Sequence, residues 1–145
     1  MRINEVLAAK ASQEVITISP DVTVREMLGL LARHNVGALI VSNDGSTVVG
    51  IVSERDIVRR LAEDEAALDS PVSAIMTTQV HTCDGGHHVT DLMQVMTDRR
   101  IRHVPVLEDG VLTGIISIGD VVKSRIDELQ FERDQLDSYV QSAQT

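Results

Sequence analysis

The chain of 145 residues is 43% hydrophobic and 24% charged, a globular composition far from disorder. Its net charge of −9 and its aromatic content, Phe131 and Tyr139 alone, exclude a nucleic-acid face, which needs a basic surface or stacking platforms. No apolar run is long enough to cross a bilayer and the single cysteine, Cys83, excludes an intrachain disulfide, so a soluble cytoplasmic protein without a membrane partner is expected.

In chain order, Ile3, Val6 and Leu7 share one face of a short helix ending near Ala9, suited to brace an open edge. Glu14 to Ile18 reads as a strand stopped at Ser19-Pro20-Asp21, because proline forces its predecessor out of the helical region. Asp21 or Thr23 can cap a helix from Thr23 to His34, in which Val24, Met27, Leu28 and Leu31 keep helical spacing and Gly37 marks the stop. Ala38 to Val41 and Val48 to Val52 are strands of a hairpin around Ser42-Asn43-Asp44-Gly45. Glu54 to Ala62 is a helix, and the acidic, aperiodic stretch Glu63 to Ser70 is a linker.

Pro71 opens a second series. Val72 to Met76 is a helical turn that repeats the N-terminal brace, Gln79 to Thr82 is a strand, and Asp84-Gly85-Gly86 is a turn. His88 to Arg99 is a helix burying Val89, Leu92, Met93 and Met96. Arg102 to Leu107 and Val111 to Ser117 form a hairpin around Asp109-Gly110, one residue tighter than the first. The last helix starts after Ser117 and runs toward Val140. Along it Val122, Ile126, Leu129, Leu136 and Tyr139 or Val140 approximate a heptad seam interrupted by Arg133, which predicts pairing with a second chain.

The two series are copies. Gly50-Ile51-Val52-Ser53-Glu54-Arg55-Asp56 returns as Gly114-Ile115-Ile116-Ser117-Ile118-Gly119-Asp120, with Gly, Ile, Ser and Asp at a constant offset of 64, and such a repeat governs the fold. Each copy reads strand, helix, strand, strand, helix. The expected class is therefore α/β (α+β), with a first repeat over 1–70, a second over 71–125 and a helical extension over 126–145. Neither half is large enough to bury its own sheet, so the halves pack together. Cys83 aligns with Ile18 and is expected as a packed residue rather than a reactive thiol.

At each junction an apolar strand ends on a serine and a helix follows with aspartate in its first turn. The helix start offers unpaired N–H groups and partial positive charge for a phosphate, the serine adds a donor, and the carboxylate can accept from a ribose diol. Ser-x-x-Asp is also the spacing of a capping box. A cap needs neither a glycine three residues before the serine nor a matched second copy, so the recurrence favours a nucleotide.

Gly-apolar-x-Ser-x-x-Asp, twice, resembles the nucleotide motif of the cystathionine-β-synthase (CBS) domain. The likeness covers nearly the whole chain, through Val15-Ile16-Thr17 and Val80-His81-Thr82 and through the stretches 36–41 and 101–106. It implies two clefts between paired halves. Residue by residue, it assigns ribose to Asp56 and Asp120 and phosphate to Ser53 and Ser117. Val15, Ile16 and Ala38 would line one slot and Val80, Thr82, His103 and Val104 the other. Arg102 and His103 stand in a basic run, Arg99 to His103, where the first half has Asn35, Gly37 and Ala38 at the positions of Arg100, Arg102 and His103. Together with Arg55 they supply positive field for a phosphate, so the clefts are expected to bind unequally.

The resemblance implies a regulatory module that senses an adenine nucleotide and signals to an unidentified target protein. AMP is the first ligand expected, followed by ATP, ADP and NAD(H). S-adenosylmethionine lacks a phosphate and would leave the arginines idle. A homodimer through the CBS faces and the C-terminal helix is expected, and the rival is a scaffold that dimerises through its terminal helices and binds nothing small. Catalysis is not expected, since no histidine or lysine recurs beside Ser53 and Ser117 as a base. Nor is a metal site, because His81, Cys83, His87 and His88 lack the paired spacing that closes a tetrahedron.

Overall fold

The computed structural model describes residues 1–10 and 14–143. Residues 11–13 of the expected first repeat and 144–145 of the expected C-terminal extension lie outside the described residues. Helix α1 (Ile3–Ala8) leads into a first half of β1 (Thr17–Ile18), α2 (Val24–His34), β2 (Ala38–Val41), β3 (Gly50–Ser53) and α3 (Glu54–Glu63). The second half repeats it as β4 (Cys83–Asp84), α4 (Val89–Arg99), β5 (His103–Glu108), β6 (Val111–Ser117) and α5 (Ile118–Ala143). Each half carries a three-stranded sheet, β1-β2-β3 or β4-β5-β6, whose short first strand runs parallel to the second and whose last pair is antiparallel.

Register confirms the internal alignment: Ile18 pairs with Val41 as Cys83 pairs with Val106. Cys83 is buried, and burial followed by the Asp84 charge pushes its thiol up to about 11. It is a packing residue, as the alignment predicts.

Alternation along the strands divides each sheet between two environments. Leu39 and Val41 join Val24, Met27, Leu31, Val52 and Ile57 in one aliphatic core, and Val104 and Val106 join Val89, Leu92, Met96, Ile116 and Val121 in another. Each such side chain contributes about 1.5–3 kcal/mol on burial. The opposite faces, with Ala38, Ile40 and Pro105, are buried between the halves. There the Leu112 N–H donates to Ser46 O at 2.9 Å, and Gly37 lies against the His103 ring.

The braces are exchanged. Ile3 and Val6 of α1 belong to the core of the second half, whereas Val72, on a 3-10 turn (Val72–Ala74), belongs to that of the first. The motif glycines make this possible. A Cβ at Gly114 would lie 3.0 Å from Leu7 Cδ1, and one at Gly50 would lie 2.7 Å from Met76 Sδ and 3.0 Å from Thr77 O. Both glycines therefore serve backbone approach by a brace.

Several boundaries differ from those the sequence suggests. The strand expected over Glu14 to Ile18 contracts to its last two residues, and that expected over Gln79 to Thr82 moves to Cys83–Asp84, because only these residues reach a partner strand. Helix α2 ends at His34 as expected, but the left-handed residue that caps it is Asn35, φ 52°, and not the glycine further on, and α4 is capped in the same way by its counterpart Arg100, φ 54°. The first hairpin has no tight turn: residues 42–49 form a loop in which Asp44 accepts from the Ser46 and Thr47 N–H groups. The second turns on Asp109 and Gly110, both at positive φ, between longer strands. The expected linker winds into a 3-10 turn (Glu65–Asp69) with Ala67 buried. The last helix runs to Ala143, beyond the expected Val140.

Candidate functional site

At both motif junctions the strand hands its last residue directly to a helix cap. The Ser53 N–H donates to Asp56 Oδ2 at 2.8 Å and the Ser53 hydroxyl to the same oxygen at 3.1 Å. The Ser117 N–H donates to Asp120 Oδ2 at 2.9 Å, and Ser117 Oγ accepts from the Asp120 N–H at 3.1 Å. Each helix start is also tied back to a strand, Glu54 N–H to Gly37 O at 3.0 Å and Ile118 N–H to Arg102 O at 2.8 Å. The capping box is thus real in both halves, and it orients each aspartate without using all its lone pairs.

Two clefts open beside these junctions, and each draws on both halves. The first, about 330 Å³, takes Ile51, Ser53, Asp56 and Arg59 from the first motif and Gln79, Val80, His81, Ile101 and His103 from the second half. The second, about 750 Å³, takes Ile115, Asp120 and Lys123 from the second motif and Glu14, Ile16, Val36 and Ala38 from the first half. Residue by residue they are counterparts, related by the pseudo-symmetry of the repeat. Ala38 touches both.

A family model for the CBS domain matches residues 4–63 and again 72–127. The chain belongs to the CBS-domain family. A solved CBS-domain protein of Agrobacterium tumefaciens is 43% identical and superposes with a TM-score of 0.82, over 86% of this chain and 99% of that one. The mitochondrial CBS domain-containing protein CBSX3 of Arabidopsis thaliana is 35% identical over 96% of this chain and 71% of its own length. A further CBS domain pair, crystallised with 5′-methylthioadenosine and S-adenosyl-L-methionine, is 25% identical with a TM-score of 0.75, covering 85% of this chain and 98% of that one.

The two CBS clefts differ sharply in charge. Arg55, Arg59, Arg100 and Arg102 line the first, against Glu54 and Asp56. None of these four guanidiniums pairs with a carboxylate among the described residues. In a chain of net charge −9 this is a concentrated positive field. Arg100 holds its place there in a left-handed backbone, a conformation that costs a non-glycine residue about 1–3 kcal/mol. His103, wedged against Gly37 of the other half, has its imidazole pKa lowered chiefly by burial, an effect that nearby Asp120 and Glu54 oppose without overcoming.

The second cleft is larger and acidic, with Glu14, Asp120, Asp127 and Glu128 against Lys10, Lys123 and the amino terminus. Here the carboxylate is already engaged. Lys10 Nζ lies 3.1 Å from Asp120 Oδ2 and donates to Ile115 O at 3.0 Å. Burial works to raise the Asp120 pKa, but the Ser117 N–H and the Lys10 ammonium outweigh it and hold the carboxyl below its ordinary value. Asp127, Glu128 and Phe131 of α5 form a wall of this cleft, so the long helix is part of the site and not only an appendage.

Of the residues carried over from the CBS motif, the structure brings Ser53, Asp56, Arg55, Val80, Arg102 and His103 into the first cleft, with Ala38 shared. Asp120, Ile16 and Ala38 meet in the second. Val104 is a correction: it is fully buried in the second core, because strand alternation turns it away from the face that presents His103. Val15 lines a small recess with Leu7 and Gly114, and Ser117 and Thr82 line neither cleft. His81 faces the first cleft while His87 Nδ1 accepts from the Asp84 N–H, and among the described residues no group of three or more potential ligands could hold a metal.

Sequence reading missed Arg59, Lys123 and Lys10. The first two carried a signal, a basic residue three positions after each motif aspartate and hence one helical turn along the same face. Lys10 carried none, since it reaches Asp120 only because its brace packs on the opposite half.

Proposed function

We propose that this chain is a non-enzymatic regulatory module that senses an adenine nucleotide, AMP first among the candidates, in the arginine-lined cleft. The observation that carries this reading is the convergence of four guanidiniums, unpaired with carboxylates among the described residues, on a cavity lined by the Ser53–Asp56 cap. Asp56 Oδ2 accepts from Ser53, leaving Oδ1 for ribose hydroxyls, and Arg55, Arg59, Arg100 and Arg102 match a phosphoryl group. Ala38, Val80 and Ile101 offer an apolar slot for the base. ADP, ATP and NAD(H) carry the same sugar and phosphate and rank behind AMP on the size of the cavity.

Adenosine ligands of a related CBS pair support the adenine assignment. The arginines favour a phosphorylated ligand over S-adenosylmethionine in the first cleft. Output to a target protein runs through α5, which walls the second cleft and exposes Val122, Ile126, Leu129, Leu136 and Val140 on its outer side, a seam for a homodimer. The test is a thermal-shift and calorimetric panel of AMP, ADP, ATP, NAD(H), adenosine and S-adenosylmethionine on the whole chain. AMP is expected to raise Tm by mass action and adenosine to do so less. No response to any of these purines leaves only the scaffold reading, for which truncation after Arg125 abolishes the dimer.

A further inference from the structure

Besides the arginines of the first cleft, the pseudo-symmetry breaks at one ion pair of the second. Asp56 answers to Asp120 and Ser53 to Ser117, but among the described residues no cation pairs with Asp56 as Lys10 does with Asp120. The brace contacts match Leu7 on Gly114 with Met76 on Gly50, and the chain beyond Met76 continues as Thr77-Thr78-Gln79, with no basic residue where Lys10 stands. Lys10 is placed by the exchanged brace: Leu7 seats on Gly114, the Lys10 N–H donates to Leu7 O at 3.2 Å, and the side chain then turns to Ile115 O and Asp120. Both partners are mostly covered, with side chains 27% and 22% exposed, so solvent screens the pair only in part.

The pair has a consequence for ligands. Asp120 Oδ2 receives the Ser117 N–H and the Lys10 ammonium, where Asp56 Oδ2 receives only the N–H and hydroxyl of Ser53, so a cation sits on the second carboxylate and none on the first among the described residues. Each aspartate keeps Oδ1 for a sugar diol, but at Asp120 the diol must compete with an ammonium that already neutralises the carboxylate. Removing Lys10 without replacement leaves a partly buried carboxylate facing Asp127 and Glu128, which line the same cleft. A ligand that brings its own anion can re-pair the displaced ammonium, and a neutral nucleoside cannot.

We propose that Lys10 is an internal competitor for Asp120, so that the second cleft stays closed to neutral adenosine compounds and opens to those bearing an anionic group that takes over the ammonium. The inference rests on the reading of Asp120 as a ribose acceptor. It makes the two clefts unequal by mechanism, the first prepared for its ligand and the second held by its own chain.

The experiment titrates adenosine and AMP into the full chain while following isoleucine methyl signals by NMR. Ile16 and Ile115 report the second cleft and Ile51 the first. In Lys10→Met, adenosine is expected to bind the second cleft about tenfold more tightly than in the wild type, in the range of ordinary coupling between competing groups. AMP gains less than adenosine or weakens, so the preference for AMP at that cleft collapses, while the Ile51 response is unchanged. Lys10→Arg retains the ion pair and restores wild-type behaviour. If adenosine binding at Ile16 and Ile115 is unchanged or weaker in Lys10→Met, with Ile51 normal, the competitor role is overturned and the nucleotide reading stands. If Ile16 and Ile115 answer to neither ligand in any variant, the ribose reading of Asp120 is overturned and the competitor role falls with it.

Discussion

The first and second clefts are assembled from equivalent strands and equivalent helix starts, yet one presents four guanidiniums unpaired with any carboxylate among the described residues and the other a lysine paired with its aspartate. A repeat copies backbone geometry faithfully because hydrogen-bond registers and core volumes constrain it. The side chains that point into the space between the halves are under no such constraint. The comparison teaches that the fold supplies two sockets and that a few surface-facing substitutions decide what each can hold.

Five substitutions break or sharpen this contrast. The largest effect is expected in the shared scaffold, where Ile116→Ala empties a fully buried site and costs about 2–5 kcal/mol of unfolding free energy. The equivalent Val52→Ala removes one fewer methylene and costs about 0.8 kcal/mol less. Urea unfolding of both should show one transition, since each core is completed by a brace from the other half; two separate transitions would mean that the halves fold independently.

Next, Arg102→Ala removes a charge-assisted contact worth about 1.5–3 kcal/mol, so AMP affinity at the first cleft should fall about tenfold to a hundredfold. Calorimetry checks the loss. Methyl shifts at Ile115 should stay as in the wild type, and a matching loss there would erase the proposed difference between clefts.

Ser117→Ala deletes the hydroxyl that caps α5 and should cost about 1 kcal/mol in thermal or urea unfolding. If it also weakens a ligand at Ile115 by more than the stability loss explains, the serine contacts ligand as well as helix.

The smallest effect is the pH dependence of His103. Its folded pKa lies below the ordinary 6.5, so folding favours the neutral ring. That contribution is complete above 6.5 and is lost as pH falls from there through the folded value. Tm measured between pH 7.5 and 5.5 should therefore decline less in His103→Gln than in the wild type. Asp120 adds nothing in this window, because its depressed pKa affects stability only below about 3.8.

Much of this was legible before any coordinates. The constant offset between Gly50–Asp56 and Gly114–Asp120 reveals the repeat, and helical spacing at Val24, Met27 and Leu31 reveals the buried stripe that the structure confirms. The alignment of Cys83 with Ile18 correctly makes a cysteine a core residue. Strand ends were less legible, since β1 and β4 exist only where a neighbouring strand offers two residues of pairing. Val104 and His103 show the same limit at the site: adjacent in sequence, they face opposite sides of β5, and the register of the sheet determines which one meets the cleft.

By itself, then, the sequence determined the two-fold repeat, the strand-to-helix caps at Ser53–Asp56 and Ser117–Asp120, and the aliphatic character of the core. Those are local properties, set by periodicity and by contacts within a few residues. Only the tertiary structure decided that the braces cross to opposite halves, that Arg100 and Arg102 share a cavity with Asp56, and that Lys10 lands on Asp120. These are contacts between residues up to a hundred and ten positions apart, and no pattern along the chain encodes a meeting that depends on how two independent sheets are packed.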